Sequence, residues 1–341
     1  MPTVFVADPI EALRPYAEER RVAAAAGAEF LIGDDVPPRV RDAEIILVSS
    51  IRVTAEILGN LTRCRLIVKY AIGVDNVDVE AATACGIVVA NASTYCVSEV
   101  ADHAAALILG MCRRIPLLDG RRRANGWEAA RAEMRGVRRL RVLTLGVIGL
   151  GHIGAEVVRR MAPFGLRILG YDRHLSADTI AARGAVPAAF DTLLRESDIV
   201  SLHVPLTPAT DHLIDERALR LMKPTAVLVN TSRGAVVDER ALIVALRENR
   251  LYGAALDVLE REPPDPDNPL LRMDAGRVII TPHVAASSEE SVPDLQREVA
   301  AAVEAVLAGR WPRSAVNPTV VPRQPLRAVD DTRGPYRSGP G

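Results

Sequence analysis

The sequence predicts an α/β protein of two doubly wound, parallel-sheet domains. Short runs that are apolar throughout alternate with helical pattern from Val4 onward, and the same rhythm restarts at Thr144. A glycine-rich turn stands directly between one such run and a helix, at Gly149 to Gly154. At 341 residues the chain also exceeds what one ordinary core fills, so two domains are expected.

The first series of runs is Val4–Ala7, Glu29–Ile32, Ile45–Val48, Leu66–Val68 and Ile87–Val89. Strands that lack a polar face belong to a parallel sheet covered on both sides. The second series is Thr144–Ile148, Arg167–Tyr171, Ile199–Leu202, Ala226–Val229, Gly253–Leu256 and Val278–Ile280. Two α/β series imply two doubly wound domains with a cleft between them. The Ala/Leu-rich stretch Ser98–Arg114 is periodic and reads as a long connecting helix, and Ser288–Leu307 reads as a second helix after the last strand. The domains are expected at residues 1–98 with 287–318 and at residues 99–286. Residues 319–341 hold Pro, Gly and charges without an apolar period, so a disordered tail is expected.

Composition narrows the class. Apolar residues make up 49% and charged residues 25%, the balance of a soluble globular protein, and the net charge of -1 draws the chain to neither nucleic acid nor membrane. No apolar run reaches membrane-spanning length, and acids interrupt the N-terminal stretch where a signal peptide needs an apolar core. Cys64, Cys85, Cys96 and Cys112 form no CxxC pair and have no His at metal spacing. They read as small buried apolar residues in a reducing compartment, hence a cytoplasmic protein that holds no metal.

Gly149-Leu150-Gly151-His152-Ile153-Gly154 is a GxGxxG run, a weak signal alone. Its context strengthens it: an apolar strand precedes it, a helix-like stretch follows, and Asp172 ends the next strand eighteen positions after Gly154. Gly149 permits the turn, Gly151 lets the backbone approach a pyrophosphate, and Gly154 lets the helix pack on the sheet. The helix N-terminus at His152 and Ile153 then attracts phosphate charge. Asp172 can accept both ribose hydroxyls and repels a 2′-phosphate, which favours NAD over NADP, although Arg173 beside it weakens the preference.

Three further segments each follow a strand, where an open α/β sheet presents its ligand-binding edge. They are Asn230–Gly234, Asp257–Pro263 and Thr281–His283, and they bring an Arg, a Glu and a His toward one place. Reduction of a 2-keto acid needs that set. A guanidinium grips the carboxylate and polarises the ketone, and an imidazolium delivers a proton. A carboxylate orients that imidazole and favours its charged form.

With the glycine run, the NTSRG, LDVLEREPP and TPHVAAS segments resemble the D-isomer-specific 2-hydroxyacid dehydrogenase family over Val4 to Pro318. Ala71-Ile72-Gly73-Val74-Asp75-Asn76-Val77-Asp78 resembles the family's substrate loop. The resemblance implies a flavodoxin-like substrate domain and a Rossmann NAD-binding domain. It implies Arg233 as substrate binder and electrophile, Glu262 as the histidine's partner and His283 as proton donor. Ile72 and Gly73 would reach the substrate carboxylate. Asp257 would fix the nicotinamide amide, while Val204, Thr231, Ser232 and Ala286 line the cofactor. Tyr95–His103 resembles the branch holding the C-terminal-binding-protein corepressors and their bacterial relatives. His152 departs from the family, which usually has Arg there, and removes a fixed charge near the pyrophosphate.

Taken singly, Arg233 reads as a surface charge, Glu262 as a solvated loop carboxylate and His283 as a core histidine; their joint spacing argues otherwise. His103, His174, His203 and His212 show no partner pattern and read as structural or surface residues. Asp75, Asn76 and Asp78 read as turn and helix-cap residues rather than a metal cluster. Arg113–Arg141 holds ten arginines against Asp119, Glu128 and Glu133, but its only aromatic is Trp127. A subunit-pairing arm, and so a homodimer, is expected over a nucleic-acid face.

The leading reading is an NAD-dependent dehydrogenase acting on a small D-2-hydroxy/2-keto acid. The rival is an NAD(H)-sensing, corepressor-like binding protein; formate or phosphite oxidation ranks third, since the formate enzymes carry Gln where Glu262 stands. The substrate itself stays open among phosphoglycerate, glyoxylate or hydroxypyruvate, and larger acids. Ser49, where phosphoglycerate-specific members tend to carry Arg, lowers the first. Lys69 and Arg52 leave room for a second anionic group.

Overall fold

The computed structural model describes residues 1–33 and 38–328. The chain forms two compact units, Met1–Cys96 with the described residues from Ser288 onward, and Val97–Ser287.

In the first unit, β1 (Thr3–Val6), β2 (Glu29–Ile32), β3 (Ile45–Val48), β4 (Leu66–Lys69) and β5 (Val88–Asn91) form one sheet in the order β2-β1-β3-β4-β5. Every pairing is parallel, and the order is the flavodoxin-like one. Side chains alternate between two cores. Val4, Val6, Ile45, Leu47, Leu66, Val68 and Val88 face one core, shared with Val22, Leu295, Val299 and Val303 of the helices Ala17–Ala25 and Ser291–Leu307. Phe5, Ile46, Val48, Ile67 and Val89 face the other, with Leu58 and Ala82. Both faces are covered, which is why these strands carry no polar alternation.

The expected disordered tail needs correction. Residues 319–328 pack on this unit, where Val320 is 4% exposed and the Arg323 guanidinium donates to the carbonyls of Leu61, Cys64 and Cys85. Carbonyls left free at element ends take up a guanidinium, so a segment without apolar period docks through hydrogen bonds. Residues 329–341 lie outside the described residues.

In the second unit, β6 (Thr144–Ile148), β7 (Arg167–Tyr171), β8 (Val186–Pro187), β9 (Ile199–Leu202), β10 (Val227–Asn230), β11 (Gly253–Leu256) and β12 (Val278–Ile280) pair in parallel. Their order is β12-β11-β10-β9-β6-β7-β8, the Rossmann arrangement, and the winding order, not the strand direction, reverses where β6 meets β9. Ala101, Ala104, Ile108 and Met111 of the helix Val97–Cys112 pack with Val157 and Met161 of the helix His152–Met161 under Leu145, Val147 and Val229. Leu193, Leu219, Leu242 and Leu246 cover the opposite face.

Among the described residues no helix is long and apolar enough to cross a membrane, and no cluster of three His, Cys, Asp or Glu is placed to hold a metal. Asp78 accepts from Ala81 N and caps the helix Val79–Ala84. Cys64 and Cys96 are buried, Cys85 and Cys112 half-buried, and all four are free thiols.

Candidate active site

The glycine turn sits at the carboxyl end of β6, beside the sheet's switch point. Gly149 has φ +85°, and a Cβ there would lie 2.6 Å from the His203 carbonyl oxygen. A Cβ on Gly154 would lie 1.9 Å from the Gly149 carbonyl oxygen. Both positions therefore exclude a side chain, for conformational and packing reasons respectively. Around Gly151 the case differs: a Cβ would meet nothing within 4 Å, so the turn faces open space there. Gly151 also caps the helix His152–Met161 without a side-chain hydrogen bond, so the positive end of the helix dipole faces the turn and favours an anion there. Asp172, just beyond β7, accepts from Leu150 N and His174 N, both at 2.9 Å, so its carboxylate is fixed at the edge of the turn. Val204 touches the same turn, its Cγ1 lying 2.8 Å from where a Gly149 Cβ would stand.

At the end of β10, Asn230 is buried and organises the next three residues. Its Nδ2 donates to the Arg233 carbonyl (2.8 Å), and its Oδ1 accepts from Ser232 N (2.9 Å) and Ser232 Oγ (2.8 Å). This is an Asx-type turn, and it fixes where Thr231, Ser232 and Arg233 point. Thr231 is 8% exposed, and its Oγ1 is buried without a hydrogen-bond partner. A buried hydroxyl without a partner costs free energy unless a ligand supplies one. The open face at Gly151 and this hydroxyl fit a dinucleotide. A Cβ on Gly234 would lie 2.0 Å from the Leu259 carbonyl, so the turn packs directly on the backbone that leads to Glu262.

Asp257 follows β11 and is 2% exposed. Its Oδ1 accepts from Thr281 Oγ1 (2.5 Å) and Val284 N (3.0 Å), its Oδ2 from Ala285 N (2.9 Å), and its own carbonyl from His283 N (2.8 Å). One buried carboxylate thus ties down the whole segment after β12, from Thr281 to Ala285, with the half-buried Ala286 next in the chain. The tie holds His283 at φ +54°, a left-handed conformation rare for a residue with a Cβ. From there His283 Nδ1 lies 2.6 Å from Glu262 Oε2, and Glu262 Oε1 accepts from Leu259 N (2.9 Å).

A carboxylate only accepts, so Nδ1 carries the proton and Nε2 is left for a reacting group. The hydrogen bond to Glu262 raises the His283 pKa above its ordinary range, with burial and the Arg233 charge opposing. Burial acts to raise Glu262, but the bonds from His283 and Leu259 N and the nearby Arg233 outweigh it and hold the carboxyl below its usual range. An acid poised to stay protonated, a fixed anion and a guanidinium acting on both are what proton transfer to a ketone beside a carboxylate requires.

Ile72 and Gly73 lie in the other unit, just beyond β4. There Asn91 Nδ2 donates to the Ile72 carbonyl (2.6 Å) and fixes that loop. Lys69 Nζ and Asn76 Nδ2 both donate to the Ser49 carbonyl, while the Asp8 carboxylate accepts from the backbone N–H groups of Ser49, Ser50 and Ile51.

Three histidines without a sequence pattern have partners in space. His212 pairs with Glu260 (2.9 Å). His203 meets Ser201 Oγ (2.8 Å), and burial pushes its imidazole down to about 4. His103, on the helix Val97–Cys112, reaches Thr281 Oγ1 at 2.9 Å and Asp257 Oδ1 at 3.6 Å. Sequence reasoning missed His103 because 178 positions separate it from Thr281. Asn230 was within reach, since Asn before Thr-Ser at a strand end is an Asx-turn signal.

Residues 105–285 match the family model described as D-isomer specific 2-hydroxyacid dehydrogenase, NAD binding domain. The chain is 37% identical over 330 residues to D-3-phosphoglycerate dehydrogenase of Methanocaldococcus jannaschii, covering 96% of this chain and 61% of that protein. It therefore spans about three fifths of that relative's length. It is 40% identical over 301 residues to glyoxylate reductase of Korarchaeum cryptofilum, covering 86% of this chain and 90% of that one. Among solved structures it resembles D-lactate dehydrogenase from Aquifex aeolicus complexed with NAD and lactic acid, with TM-score 0.79, 30% identity and coverage of 90% and 96%.

Proposed function

Because this chain belongs to the D-isomer-specific 2-hydroxyacid dehydrogenase family, we propose that it is an NAD-dependent dehydrogenase interconverting a small D-2-hydroxy acid and its 2-keto acid. The observation that carries the proposal is the His283–Glu262 pair at 2.6 Å, held at the end of β12 within the unit that bears the glycine turn.

Gly149, Gly151, His152, Ile153 and Gly154 cradle the pyrophosphate, Asp172 reads the adenosine ribose, and Val204, Thr231, Ser232, Asp257 and Ala286 hold the nicotinamide half. When bound, the nicotinamide supplies or accepts the hydride. In the direction of reduction, Arg233 holds the substrate carboxylate, and its charge stabilises the oxygen as negative charge grows there. His283 donates its Nε2 proton to that oxygen, and Glu262 keeps Nδ1 protonated and the ring aligned throughout. In oxidation the same Nε2 accepts the proton. The intact pair favours turnover over the NAD(H)-sensing alternative.

The protein is proposed to work in the cytoplasm as a homodimer. Its free cysteines suit a reducing compartment, and Ile115 and Trp127, 58% and 68% exposed, mark an arm with apolar surface left to cover.

The test is turnover of NADH with a panel of 2-keto acids, beginning with glyoxylate, hydroxypyruvate and 3-phosphohydroxypyruvate. Loss of NADH absorbance with one of them is expected. Tight NADH binding with no turnover across the panel would establish the sensing alternative instead.

A further inference from the structure

We infer that His103 is a positioning residue for the catalytic segment, acting through Thr281 on the Asp257 carboxylate that holds the His283 backbone. The inference deepens the reading above and takes from it the role of His283 as proton donor.

The argument is one of hydrogen-bond direction. Thr281 Oγ1 lies 2.5 Å from Asp257 Oδ1, and His103 Nε2 lies 2.9 Å from Thr281 Oγ1. A carboxylate only accepts, so the single Thr281 hydroxyl proton points to Asp257. The hydroxyl can then only accept from the imidazole, so His103 carries a proton on Nε2. The chain therefore runs one way, from His103 to Thr281 to Asp257. Its effect falls on Asp257, whose Oδ1 holds Thr281 and Val284 N while Oδ2 holds Ala285 N and keeps an acceptor site open.

Those same bonds keep His283 in its left-handed conformation. Without the His103 donor, the Thr281 hydroxyl is no longer committed to Asp257 and can turn toward other acceptors. The segment Thr281–Ala285 loses its directional lock while keeping its apolar packing. The helix Val97–Cys112 is a firm base for this device, because Ala101, Ala104 and Leu107 beside His103 are buried in the sheet's core. A histidine that merely fills space there would show none of this directionality.

The test uses the full chain, NADH and the 2-keto acid the panel selects. His103→Leu and Thr281→Val should each lower kcat about tenfold, the size of one well-made hydrogen bond, while KM for the keto acid changes less than about threefold. Combining them should be no worse than either alone, since both break the same chain. His103→Gln, which can present an N–H to the same hydroxyl, should recover most of the rate. In hydrogen–deuterium exchange, the Val284 and Ala285 amides should exchange about tenfold faster in the Leu and Val variants and at the parental rate in the Gln variant. Additive losses, a Gln variant no better than Leu, or unchanged amide exchange would each overturn the inference. Should the parent protein reduce no 2-keto acid, the proposed function falls, and amide exchange still decides the His103 question by itself.

Discussion

At the carboxyl edge of the five-stranded sheet, the Asp8 carboxylate accepts from three consecutive backbone N–H groups and so shapes a loop. At the carboxyl edge of the seven-stranded sheet, Asp257 also ties down backbone, but the segment it holds carries an imidazole to a second carboxylate, Glu262. The architectures are alike: parallel strands, two covered faces, polar groups gathered where the strands end. What differs is the object of each carboxylate. In the first unit the fixed charge holds the backbone of one loop and its Ser50 hydroxyl. In the second it also arranges an imidazole whose charged form the neighbouring carboxylate favours. Fold supplies the place, and the choice of partner supplies the chemistry.

Substitutions can separate the two edges. The largest effect is expected from His283→Asn and Arg233→Ala. Each should lower kcat by about 100- to 10,000-fold while NADH affinity, read by fluorescence titration, stays within about threefold. Near-normal turnover in either would break the comparison, because the second edge would then carry no chemistry.

Glu262→Gln should act less strongly and mainly through pH. The paired carboxylate raises the His283 pKa, so in the parent the acid form persists above the ordinary imidazole range. Reduction needs that form, so kcat/KM for the keto acid should hold through this window and fall as pH rises past the raised pKa. In the Gln variant the alkaline limb should move to lower pH, and kcat should fall about tenfold as a charge-assisted hydrogen bond becomes a neutral one. An alkaline limb that does not move would detach Glu262 from the proton donor.

The smallest effect on rate is expected from Asp8→Ala. Losing its backbone bonds should lower stability by about 1–3 kcal/mol, read by chemical denaturation, while kcat stays within about twofold. A collapse of kcat without loss of stability would mean that the first edge does more than shape a loop.

Much of this was legible in the sequence because buried parallel strands are apolar on both faces and glycine turns have steric causes. Seven strands, from Glu29–Ile32 to Val278–Ile280, match their apolar runs to the residue. β8 was missed: two residues, Val186 and Pro187, both exposed, make no apolar run. The docked segment 319–328 was missed because Arg323 holds it through carbonyls, which leave no pattern in side-chain hydropathy. Arg233, Glu262 and His283 stood out as candidates because each follows a strand end, and the structure brings Glu262 against His283. His103 lies within a helix, and its partner comes from the far end of the same unit, so nothing local marked it.

The left-handed backbone at His283 sets a boundary on what variation can reach at that position. Valine, isoleucine and threonine are barred there by torsional sterics before any question of reactivity arises, whereas asparagine and glycine settle without strain. An inert but correctly shaped version of this protein is therefore one codon class away, while a redesigned proton donor would first have to tolerate the same twist of the main chain.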